Sequence, residues 1–215
     1  MVRNLLLVVA VLAAASAHPI AQAKESPEAL ARALQARYQG IRDFSADFEQ
    51  IYRGGVLKTQ TRESGTVAVK KPGKMRWKYA KSRNELVSDG RTIYWYEPEL
   101  KEVVQSSVTD QASTPDQFLS GKGDIARDFT PSHAQSSIPG TVALKLLPRR
   151  AEPEYEFLVV SFEPGSMRIR SLTTRDHQGG ESTLVFTNMR ENRGLSDNEF
   201  VFKVPNGVKV VSGGR

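Results

Sequence analysis

The segment Lys74-Met75-Arg76-Trp77-Lys78-Tyr79 alternates cations with large apolar side chains at every step. A β-strand turns successive side chains to opposite faces, so this spacing puts Met75, Trp77 and Tyr79 on one side and the cations on the other. The same period of two runs through Phe44, Ala46 and Phe48, which alternate with Ser45, Asp47 and Glu49. Further short segments of strand character are 56–70, 85–87, 92–96, 102–107, 142–147, 154–162, 167–174, 182–189 and 200–202. Turn-forming pairs separate most of them: Gly54-Gly55, Ser64-Gly65, Pro72-Gly73, Asp89-Gly90, Glu97-Pro98, Pro164-Gly165 and Gly179-Gly180. Short strands joined by turns, with no alternating helices, predict an antiparallel meander curled into a barrel or half-barrel.

Before the strands comes one helix. Ser26 is an N-cap, Pro27 takes the first helical position, and Glu28 sits in the first turn. Leu30, Leu34, Tyr38 and Ile41 then recur at spacings of four, four and three and form one apolar stripe, with Gly40 as the stop. A second helical patch opens at Thr114-Pro115-Asp116, runs through Gln117, Phe118 and Leu119 to Gly121, and 124–129 adds another turn. It interrupts the meander, so it is expected to pack over the sheet. No internal repeat, low-complexity linker or break in composition divides the chain, which predicts a single domain over residues 24–215.

Residues 1–23 read as a secretory signal, cleaved after Ala23. Arg3 gives the positive start, Leu5 to Ala15 is an apolar run of 11, and Ala15-Ser16-Ala17 and Ala21-Gln22-Ala23 are two small-x-small sites. That run is too short to span a bilayer, and nothing later approaches 18 continuous apolar residues. Export makes the absence of cysteine informative. A chain in an oxidising compartment without cysteine has no disulfide staple, no thiolate metal site and no residue to receive a lipid. The expected mature protein is free in the periplasm of a Gram-negative envelope and is not membrane-embedded.

Catalytic patterns are missing. The chain has three histidines, His18, His133 and His177, none at metal-ligand spacing. There is no Gly-x-Ser-x-Gly elbow, and Gly121-Lys122-Gly123 is too short for a phosphate loop. Asp47 and Glu49 share one strand face opposite Phe44 and Phe48, which reads as a solvated outer surface. The net charge of +6 comes from cations interleaved with acids, without a nucleic-acid-binding motif. The expectation is no enzyme, no metal, no cofactor and no nucleic acid.

What remains is apolar chemistry. The inner face of a half-barrel is either filled by its own side chains or left as a cavity. The inner candidates are large and soft: Phe44, Phe48, Met75, Trp77, Leu86 and Trp95. Leu30 and Leu34 of the first helix, with Phe118 and Leu119, are placed to cap them. An ordinary packed core is the competing reading of the same residues.

Several segments carry a family resemblance. These are Val69-Lys70-Lys71-Pro72, Met75-Arg76-Trp77, and Ser88-Asp89-Gly90-Arg91-Thr92-Ile93-Tyr94-Trp95-Tyr96-Glu97-Pro98. Phe44-Ser45-Ala46-Asp47-Phe48-Glu49-Gln50 and Phe200-Val201-Phe202-Lys203-Val204-Pro205-Asn206-Gly207-Val208 join them. Together they resemble the periplasmic outer-membrane lipoprotein carrier proteins, the LolA family, over the mature chain end to end. The resemblance implies a mainly β fold with a helical lid: a single incomplete antiparallel β-barrel of about eleven strands, covered by short helices and enclosing a hydrophobic cavity. It implies a monomeric chaperone that takes acylated lipoproteins from the inner-membrane LolCDE transporter to the outer-membrane receptor LolB. Most relatives carry Arg immediately before the proline, where it hydrogen-bonds lid backbone and latches the empty cavity; here the lid latch position is Lys71, a flexible point donor in place of a fixed fork. The alternatives are a carrier of the same architecture for a glycolipid or fatty acid, and a periplasmic sensor of lipoprotein or envelope stress.

Overall fold

Ser26 opens the first helix as its sequence position requires, accepting a hydrogen bond from the Ala29 amide at 3.2 Å, with Pro27 next in the chain. This is seen in a computed structural model that describes residues 25–55, 59–108, 119 and 123–213. Helix α1 (Pro27–Gln39) turns Leu30, Ala31, Leu34 and Tyr38 inward. The signal-like residues 1–23 lie outside the described residues, as does the 114–121 patch except for Leu119, which is helical and buried.

Twelve strands follow among the described residues: β1 (Asp43–Arg53), β2 (Gln60–Lys70), β3 (Lys74–Tyr79), β4 (Glu85–Asp89), β5 (Thr92–Glu97), β6 (Glu102–Ser107), β7 (Phe129–Ala134), β8 (Val142–Pro148), β9 (Phe157–Phe162), β10 (Ile169–Arg175), β11 (Glu181–Glu191) and β12 (Lys209–Ser212). A one-turn helix, α2 (Ile125–Asp128), precedes β7. All strands belong to one open sheet in the order β12-β6-β5-β4-β3-β2-β1-β11-β10-β9-β8-β7. Two meanders, β1–β6 and β7–β11, thus meet where the long strands β1 and β11 pair.

Register builds the inner face in rows. Phe44 lies across from Val69, which faces Met75; Val67 faces Trp77, then Leu86, then Trp95. Gly65 does not make the turn that Ser64-Gly65 predicts. It lies inside β2 opposite Phe48, where an added Cβ would fall 1.9 Å from the Lys78 carbonyl oxygen and 2.9 Å from the Phe48 ring. Close approach of strand to strand demands glycine there.

Three further segments depart from what their local pattern suggests. Phe129, read as the end of a helical turn, instead opens strand β7, whose other residues carry no strand reading in the sequence, and Pro131 is tolerated because β7 is the sheet edge. Residues 209–212, which carry no strand reading in the sequence, form β12, which pairs in parallel with β6. Residues 200–202 are not a strand: a 3-10 turn spans Asp197–Phe200, closed by a capping box between Ser196 and Glu199.

That turn belongs to a strap, residues 192–208, which carries the chain from β11 over the outer face to β12. The buried Asp43 anchors its start by accepting from the amides of Arg193 (2.8 Å) and Gly194 (3.1 and 3.2 Å). Asp197 pairs with Lys70 (2.6 Å) and Lys74 (3.0 Å), and these two ammonium groups hold its carboxyl below the usual range. Phe200 is buried, and Phe202 stacks on Tyr94 at 5.3 Å. Val87 and Val103, on the outer face by register with Arg76 and Tyr96, are fully buried beneath this side of the sheet. The outer face of β3 is therefore only partly solvated: Lys78 is exposed, whereas Arg76 pairs with Glu85 and donates to the Glu199 carbonyl at 2.8 Å.

Candidate functional site

On the inner face, Phe48 lies edge-on to Trp77 (5.0 Å) and to Tyr79 (5.2 Å), and Tyr79 lies edge-on to Trp95 (5.7 Å). Edge-to-face rings hold one another more tightly than burial alone provides. Leu30, Leu34, Phe44, Phe48, Met75, Trp77 and Leu119 are buried in one continuous core, with Leu86 packed against it. Trp95 is half-buried, and its indole nitrogen donates to Glu97 at 2.7 Å. Phe118 falls outside the described residues.

The inner candidates thus converge, but they pack against one another. Beside them, between Tyr38, Phe44, Leu119, Met167, Met189 and Glu191, the cleft is about 10 Å³, room for no more than one water. Larger hollows lie around it, one of about 260 Å³ between Leu30, His133, Val142 and Met167. One of about 470 Å³ sits on the outer face over Ser45, Asp47, Thr66, Lys78 and Arg190, and one of about 440 Å³ lies beside Arg42, Lys70 and Lys71.

Tyr38 joins the lid elements to the sheet. Its hydroxyl donates to the Leu119 carbonyl, and burial, then the neighbouring Glu191 carboxylate, push its ionisation well above the usual range, so it stays a donor. Lys71, following β2, donates its ammonium to the Tyr38 carbonyl at the end of α1 and stands 3.7 Å over the centre of the Tyr38 ring. Burial lowers the Lys71 pKa to about 8. The contact adds a cation at the negative end of the helix, on a carbonyl that also accepts from the Ile41 amide at 3.2 Å. Glu191, across β1 from Phe44, pairs with Arg37 of α1. Arg37 and Glu191 are not among the sequence candidates, and Tyr38 enters the sequence reading only as a member of the apolar stripe of α1. Glu191 carried one signal: it falls in phase with the inward-facing Met189 on β11 and is a charge in an apolar position.

Comparison with known proteins agrees with this architecture. The family model "Outer membrane lipoprotein carrier protein LolA" matches residues 39–203. An outer-membrane lipoprotein carrier protein of Cupriavidus pinatubonensis is 31% identical over 197 residues, covering 88% of this chain and 92% of the relative. The chain belongs to the LolA family. A carrier of Chromohalobacter salexigens is likewise 31% identical, over 86% of this chain and 87% of the relative. In fold, an uncharacterized conserved protein from Thermus thermophilus aligns with a TM-score of 0.54 at 14% identity, over 85% of this chain and 98% of that one. In this member of the LolA family, Lys71, immediately before Pro72, connects to Leu119 through Tyr38: the ammonium contacts the Tyr38 carbonyl and ring, and the Tyr38 hydroxyl donates to Leu119.

Proposed function

We propose that this protein is a periplasmic carrier that takes acylated lipoproteins from the LolCDE transporter to the receptor LolB, sheltering their acyl chains between the aromatic inner face and the covering helices. The observation that carries this reading is the Tyr38 hydroxyl holding Leu119 down on that face, because a few polar contacts there separate a closed interior from an open one. Family membership supports the cargo class. No described helix is long and apolar enough to cross a membrane.

The energetics favour closure when empty. Removing one methylene from water yields about 0.8 kcal/mol, so one sixteen-carbon chain offers about 12 kcal/mol. Three such chains would exceed the limit of non-covalent affinity, about 20 kcal/mol. Cargo so held would not escape through water, and a carrier that must release it needs weaker net binding. Closing α1 and the Leu119 contact over the interior makes opening consume part of the binding energy.

Mass spectrometry of what co-purifies with the protein from periplasm tests the cargo. Acylated lipoproteins are expected, whereas free fatty acids or glycolipids in their place would support a different carrier. Lys71→Leu tests the latch. The variant should load more lipoprotein and deliver less to LolB, and equal occupancy with equal delivery would falsify a latch role for Lys71.

A further inference from the structure

Two buried side-chain atoms have no hydrogen-bond partner among the described residues, Trp77 Nε1 and Glu191 Oε1. The second lies at the seam where the interior would open. Glu191 stands directly across from Phe44 and lines the narrow cleft with Tyr38, Leu119, Met167 and Met189. Its other oxygen is taken by Arg37, whose guanidinium also donates to the Ser166 carbonyl at 3.3 Å. The Tyr38 hydroxyl is already given to Leu119. One carboxylate oxygen, walled by apolar side chains and held in place by Arg37, is left with accepting capacity only.

We infer that Glu191 selects cargo by its head: Oε1 accepts a hydrogen bond from the N–H of an amide-linked acyl chain, and the carboxylate turns away acyl chains that end in a free carboxylate. This inference rests on the acyl-carrier reading above. An ionised carboxylate is acceptor-only, and even with Arg37 on its other oxygen it offers a second carboxylate a like charge and no donor at Oε1. A fatty acid would have to protonate or stay out. A secondary amide carries no charge to desolvate and brings the one group the site lacks, an N–H donor. The cleft is closed by Leu119, so the amide would occupy this place when that contact lifts, with its chain lying along Phe44 and the aromatic rows beyond.

Three probes of equal chain length separate charge from hydrogen bonding: N-methylpalmitamide, N,N-dimethylpalmitamide and palmitate. They are titrated into the mature protein, and Trp fluorescence is the readout. Wild type should bind N-methylpalmitamide about tenfold more tightly than either other probe, as expected for a hydrogen bond to a charged acceptor. Glu191→Gln should bring palmitate to within about threefold of the N-methylamide, since the repelling charge is gone. Arg37→Gln, which leaves the carboxylate uncompensated, should weaken palmitate further, so a fold defect in either variant leaves the other as a test. If wild type binds all three probes alike, or Glu191→Gln keeps the wild-type ranking, Oε1 serves bound water only and the selector is overturned. If wild type binds none of them, the acyl-carrier reading fails first and the selector with it.

Discussion

Lys71 faces two opposed influences. The Tyr38 carbonyl and ring favour its charged form, while partial burial disfavours it, and burial wins, because the group titrates at about 8 where a free lysine would at 10.5. At pH 7 the ammonium keeps its charge and the grip on Tyr38 is intact. Between pH 8 and 10.5 the unfolded chain holds a proton that the folded one has released, so stability rises with pH through that window. Below it the burial penalty is present in full; above it the penalty is gone. Urea unfolding of wild type and Lys71→Leu as a function of pH checks this. The difference between the two should grow in favour of wild type from about pH 8 to 10.5 and stay flat below, as linkage requires. A difference that falls with pH would mean the carbonyl contact outweighs burial.

The elements that the sequence reveals are those whose local pattern and tertiary setting agree. Helix α1 begins at its Ser26 cap as expected, β3 carries its alternation onto the sheet unchanged, and β5 forms where the segment 92–96 has strand character. The misses have a common physical origin: pairing with another strand or packing on another element, and not local composition, decides the structure. Strand β7 contains Pro131, Ser132 and His133, and it becomes a strand only because β8 pairs with it. Strand β12 exists because β6 offers a free edge. Phe200-Val201-Phe202 has strand composition but serves as a strap, burying Phe200 and laying Phe202 on Tyr94 and Tyr96. The site divides in the same way. Its apolar members follow from periodicity, whereas Tyr38, Arg37 and Glu191 gain their roles only when α1, β11 and Leu119 come together. The strap makes a direct prediction. Phe200→Ala should cost about 3–5 kcal/mol in urea unfolding, as for a buried aromatic. Amide exchange in β12 should accelerate together with that in β6, since the strap alone delivers β12 to its edge. Exchange that speeds up in β12 alone would mean the strap does not support the neighbouring strands.

At the scale of the molecule, an apolar sheet that packs against its own helices differs from a preformed pocket in one measurable way. In a preformed pocket, affinity rises by about 0.8 kcal/mol for each methylene of the ligand, starting from the first few carbons. In a closed interior the same gain per methylene is set against a fixed cost of lifting α1 and Leu119, so short chains do not bind and a threshold length appears. Isothermal titration with amide-linked chains of increasing length should give a straight line of the ordinary slope, displaced towards weaker binding. Tyr38→Phe removes the hydroxyl that holds Leu119. A buried carbonyl left without its donor costs the closed form about 1–3 kcal/mol. The variant's line should therefore shift towards tighter binding by about that amount and run parallel to wild type, because the opening cost changes and the apolar contacts do not. A change of slope would place Tyr38 among the groups that touch the chain itself; coincident lines would mean that closure is governed by the packing of Leu30, Leu34 and Leu119 alone. A tighter-binding variant should also be the poorer donor, since the cost that weakens loading in the wild type is the same free energy that drives cargo out to a receptor.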